Sequence, residues 1–201
     1  MPASRRGFIR TLGAAAGLAG LSGCSSDGIP GSGGSIDQTV YVGAYHWGFI
    51  LLDEDGEERE QIVLNRDTSL RLVAFNTGAK RALETLPTAV RKAVPEHETL
   101  EERNEARIPH SSSDGLHELL EEANERYPDH SVAVMESGRN HMGSGMWDGM
   151  TMHPIELLHD ATRPTTATLS ASQQGDYTLS CLTDCGYGHT YMDRDSALVV
   201  R

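Results

Sequence analysis

The sequence predicts an all-β sandwich or barrel carrying one helical insertion. Short runs rich in β-branched and aromatic residues recur between turn residues, from "QTVYVGAYHWGFILL" (38–52) to "ALVVR" (197–201). The pattern breaks once, at about residues 80–128, where charge and helical spacing replace alternation. Strand text then resumes at "HSVAVM" and continues through "TTATLSA" and "YTLSC".

Taken in order, residues 1–24 read as an address. "SRRGFI" (4–9) is a twin-arginine export pattern, and the apolar run after it is too short to span a bilayer. "LSGC" (21–24) resembles a lipobox, with Cys24 the lipidated residue. Residues 25–37 form a Gly/Ser-rich tether. The expected product is a soluble domain, 38–201, held by lipid on the outer face of the cytoplasmic membrane. Within it, 38–52 reads as one strand, "DEDGEE" as a turn, and "QIVLN" and "SLRLVAFN" as two more strands. In the insertion, "SSDGLHELLEEANERY" carries Leu116, Leu119, Leu120 and Ala123 on one helical face, and Pro128 stops it. The chain has 201 residues and a formal net charge of −12, with Lys80 and Lys92 the only lysines among 17 basic residues. Nucleic acid is excluded as a partner on this charge, because binding phosphate needs a basic face. The acidic surface serves solubility, or docks a basic partner.

The chemistry is concentrated in "CLTDCGYGHTYM" (181–192), with spacing C-x3-C-x3-H-x2-M over Cys181, Cys185, His189 and Met192. Two thiols, an imidazole and a thioether are soft donors, a set that favours copper over calcium, magnesium or manganese. Zinc is the alternative metal, though a thioether suits it poorly. A plain Cys181–Cys185 disulfide is the metal-free alternative in an oxidising compartment. A nucleophilic cysteine would call for neither the second thiol nor the methionine.

That loop resembles the binuclear copper (CuA) loop of cytochrome c oxidase subunit II, shared with nitrous-oxide reductase. The resemblance implies a cupredoxin-like Greek-key β-sandwich. It implies two copper ions bridged by Cys181 and Cys185, with His189, Met192 and the main-chain carbonyl of Thr183 as further ligands. "VGAYHWGFILLDEDG" is similar to a subunit II strand in which Trp47 would be the electron-entry tryptophan; its plainer role is a core aromatic. The helical insertion and the lack of membrane helices depart from subunit II. Asp184 and Tyr187 are candidates to tune the potential from outside the ligand set.

The family's remaining histidine ligand is not where spacing puts it: Ala82 stands near that point. Three candidates remain, ranked His130, His141, His153. His130 opens "HSVAVM", which resembles the family's H-S-aromatic stretch. A run containing Met142, Met146, Met150 and Met152 either collects copper or fills gaps as a pliable loop. The expected function is one-electron transfer with no bond-making of its own. Electrons would come from a small cytochrome or blue copper protein and pass to terminal oxidase subunits. The alternatives are a copper-delivery protein for oxidase assembly and a metal-free structural sandwich.

Overall fold

The computed structural model describes residues 36–109, 113–137 and 150–201. Cys24, the export and lipidation signals and His141 lie outside the described residues.

Nine strands among the described residues build two mixed sheets. They are β1 (Gln38–Tyr45), β2 (Gly48–Leu52), β3 (Ile62–Leu64), β4 (Ser69–Asn76), β5 (His130–Glu136), β6 (Ile155–Leu157), β7 (Thr165–Ser170), β8 (Gly175–Ser180) and β9 (Asp193–Val200). One sheet has the order β2-β1-β4-β7, the other β3-β9-β8-β5-β6. The chain crosses repeatedly between sheets, so β1 runs parallel to β4 and β3 parallel to β9, while the other pairs are antiparallel. This is the expected two-sheet β-sandwich with a helical insertion. Its core lies between the sheets, where alternate residues such as Val40, Val42, Leu70, Leu72, Val132, Val134 and Leu198 meet.

The insertion occupies the crossover from β4 to β5 as α1 (Lys80–Glu84), α2 (Thr88–Ala93), α3 (His97–Arg107) and α4 (Ser113–Arg126). Leu86, Val90 and Leu100 close a second core over Tyr45, Ile50, Leu52 and Phe75. That is why β2 is buried at all five positions instead of alternating. Each such aliphatic side chain contributes about 1.5–3 kcal/mol. Helix α4 instead joins the main core through Leu116, Leu120 and Ala123. Leu119, expected on that face, is exposed.

Two strand assignments differ from expectation. Residues 38–52 are a hairpin, not one strand: Tyr45 pairs with Gly48 across a two-residue turn made by His46 and Trp47. Such turns ordinarily announce themselves with Asn-Gly or Asp-Gly, and neither stands here. Trp47 takes the left-handed backbone conformation, φ 62°, which is costly for a bulky side chain. Strand β6 is too short to show in the sequence. Strand β9 also carries a bulge. Tyr177 pairs with Leu198 but Leu179 with Arg194, so Asp195, Ser196 and Ala197 face the single residue Thr178. Ser196 has φ 51° there.

Candidate metal centre

The loop 181–192 connects β8 to β9, closed at its base by Cys181 N–H donating to the Met192 carbonyl (3.2 Å). Gly186, at φ 91°, turns the chain sharply after Cys185, and a 3-10 turn over Tyr187–Tyr191 then carries His189 back toward the thiols. Cys185 Sγ lies 3.4 Å from His189 Nδ1 and 3.6 Å from Met192 Sδ. Cys181 Sγ lies 3.3 Å from the Thr183 carbonyl oxygen and 3.4 Å from the Ser131 amide nitrogen.

The neighbouring strand completes the set. A ring nitrogen of His130 and both Sγ atoms lie within 4.8 Å of one another. The structure therefore brings together Cys181, Cys185, His189, Met192, the Thr183 carbonyl and His130. His153 is exposed. Ala82 sits wholly buried in α1, among the residues that dock the insertion. Of the methionine run, Met152 packs against the main core and Met150 bridges to Met135; Met142 and Met146 lie outside the described residues.

The side-chain donors are mostly dry: Cys181, Cys185, Met192 and His130 are all buried, while His189, like Thr183, is partly exposed. The cysteines are free thiols in contact with each other. Cys181 is held well below the ordinary thiol range, first by its hydrogen bond from Cys185, then with help from His130, His189 and the Ser131 amide. The same bond, with burial, pushes Cys185 up. The pair thus gives up its first proton readily and keeps the second until something replaces it. His189 is raised, chiefly by hydrogen bonding to the Cys181 thiolate.

These residues fit a soft metal ion. His130 Nδ1 is buried with no hydrogen-bond partner, a costly state for a polar atom unless a ligand completes it. Two thiols, a thioether and imidazoles in one buried cluster are copper's donor set, and metal would displace the proton that the thiol pair retains.

One residue of the site escaped the sequence reading. His46 is buried, and its Nε2 lies 2.8 Å from the Cys185 carbonyl oxygen. Burial, then the neighbouring His130, lowers its pKa to about 4, so the ring is neutral at pH 7. A carbonyl can only accept, so Nε2 bears the proton. Trp47 Nε1–H donates to the same oxygen at 2.9 Å. Trp47 itself is 0% exposed, with its ring packed against Gly188. Tyr187, 54% accessible, is an exposed aromatic whose ring stands edge-on to Trp47 at 6.1 Å.

Fold and cluster together define a β-sandwich protein with a buried soft-metal site. No protein-family model and no curated protein matches the chain. Among solved structures it is similar to the periplasmic domain of cytochrome oxidase subunit II (CoxB) of Bradyrhizobium japonicum. That alignment has 10% identity and a TM-score of 0.41, covering 84% of this chain and 86% of that one. It is similar too to auracyanin B, at 11% identity and TM-score 0.40, covering 85% and 93%. The auracyanin of Roseiflexus castenholzii aligns at 7% identity and TM-score 0.38, covering 83% and 99%. At such identities and scores, chemistry has to be read from the residues of the site itself.

Proposed function

We propose that this protein is a copper electron carrier whose centre is binuclear. The observation that carries the reading is the pair of adjacent buried thiols, with His189 and Met192 beside Cys185 and with His130 and the Thr183 carbonyl beside Cys181. Two thiolates side by side suit two metal ions sharing them. Bound copper would supply a one-electron couple spread over both ions. The chain's own part is to hold the donors rigidly, keep water out, and offer an electron path to the surface. Cys181 and Cys185 would bridge; His130, His189, Met192 and the Thr183 carbonyl would complete the set.

Electron entry at Trp47 belongs to the same proposal, with one modification. Trp47 is wholly buried, so a donor protein would touch Tyr187 first. From there the route runs through the Trp47 ring and its hydrogen bond to the Cys185 carbonyl. The donor would be a small cytochrome or blue copper protein, the acceptor a terminal oxidase, and the carrier would be tethered outside the membrane through lipid on Cys24. Absorption and EPR spectra of the copper-loaded protein test the centre. A delocalised mixed-valence signal supports it. A blue single-copper spectrum overturns the binuclear reading, and loosely held Cu(I) without a mixed-valence state marks a delivery protein instead.

A further inference from the structure

The helical insertion is the part of the chain that the functional reading leaves without a task. Two polar side chains of α3 converge on one place. Asn104 of α3 is 1% exposed and donates from Nδ2 to the His46 carbonyl at 2.5 Å. Arg107, one helical turn on, donates to the Trp47 carbonyl, to Asn104 Oδ1 at 3.0 Å and to the Tyr191 carbonyl at 3.1 Å. One guanidinium thus ties the hairpin turn to the far end of the metal loop. Helix α4 and the residue after it press on the same loop: a Cβ added to Gly186 would meet Ala123 at 3.1 Å and Tyr127 at 3.4 Å.

The turn so held is the strained one. A tryptophan in the left-handed region persists only where its surroundings overdetermine it, and such residues gather at functional sites. Its neighbours place the two buried donors, His46 Nε2–H and Trp47 Nε1–H, on the Cys185 carbonyl. We propose that the insertion is a clamp for the metal centre, with Asn104 and Arg107 as positioning residues. They fix the backbone of His46 and Trp47, and through those two side chains the Cys185 end of the loop. This rests on the copper reading for its purpose, but the clamp itself is a property of the metal-free chain.

Arg103 provides the internal control. It lies on the same helix and forms a bidentate pair with Glu58, at 2.8 and 3.0 Å, touching neither the turn nor the loop. The test uses the full chain in a Cys24→Ser background, so that two thiols report. Two rates are measured for Asn104→Ala, Arg107→Ala and Arg103→Ala: alkylation of the metal-free thiols by iodoacetamide, and loss of Cu(I) to bathocuproine disulfonate. Loss of a buried hydrogen bond to the turn should raise both rates about tenfold in the Asn104 and Arg107 variants. Arg103→Ala should leave both within about twofold, whatever its melting temperature, as for a surface pair. Arg107→Lys, which keeps the charge but loses the fork, should recover only part of the effect. Should Arg107→Ala not fold, Arg107→Gln is read by the same measures. Unchanged rates in the Asn104 and Arg107 variants, or equal changes in Arg103→Ala, overturn the clamp. If the parent binds no copper, the functional reading fails and alkylation still decides the clamp.

Discussion

Gly188→Ala is the sharpest probe of how the loop is seated. A Cβ built on Gly188 would lie 2.0 Å from Trp47 Cδ2, 2.3 Å from Cε3 and 2.4 Å from Cγ. Ordinary contact begins near 3.4 Å, so ring or loop must withdraw by more than an ångström. The ring has nowhere free to go: it is fully buried, its Nε1 is bonded to the Cys185 carbonyl, and its backbone is held by Arg107. Overpacking costs about 1–3 kcal/mol, and losing the Trp47 hydrogen bond about 1 more. A destabilisation of about 2–4 kcal/mol follows, or roughly 4–16 °C in melting temperature for a domain of this size. Thermal melts of metal-free parent and variant under reducing conditions measure it. Iodoacetamide should also reach the Cys185 thiol faster in the variant. A variant melting within about 1 °C of the parent would refute the reasoning, because the Trp47–Gly188 contact would then not be close-packed.

The metal-free protein should lose stability in acid partly through His46. Its folded pKa is lowered to about 4 from 6.5, so its contribution is complete above pH 6.5 and is lost as pH falls through 4. At 1.36 kcal/mol per unit the limit is roughly 3 kcal/mol, read as the difference between the pH–stability curves of the parent and His46→Gln. A flat difference curve counts against the burial of a neutral ring. Asn76→Ala should cost about 2–4 kcal/mol in urea denaturation, since Asn76 is buried and donates to the Pro128 and Leu157 carbonyls while accepting from Gly78 N–H. Cys185→Ser should lower copper affinity by more than about a hundredfold in chelator competition. An affinity near the parent's would remove Cys185 from the ligand set.

The sandwich was legible because β-branched runs such as "SLRLVAFN" and "HSVAVM" register local chemistry, and both are strands. The C-x3-C-x3-H-x2-M spacing was legible for the same reason: all four donors share one loop. His46 was not. Its role rests on a hydrogen bond spanning 139 residues, and nothing beside it in the chain marks a turn. The hairpin at His46–Trp47 was hidden because tertiary contacts from Asn104 and Arg107, not turn chemistry, hold it. Leu119 shows the converse: helical spacing put it on the apolar face, but α4 meets the core along Leu116, Leu120 and Ala123 alone.

The bulge in β9 sets the size of the donor loop much as ring size governs a chelate. Were its two extra residues drawn into regular pairing instead, the register of Tyr177 with Leu198 would run straight on and bring Cys181 opposite Arg194. Met192 would then sit inside a wider loop, displaced along the strand by about 7 Å, two residues' rise, beyond the span of one coordination sphere. Excising Asp195 and Ser196 should accordingly straighten β9 while leaving Leu179 opposite Arg194 and Cys181 opposite Met192, so the shortened strand keeps the grip of the native loop.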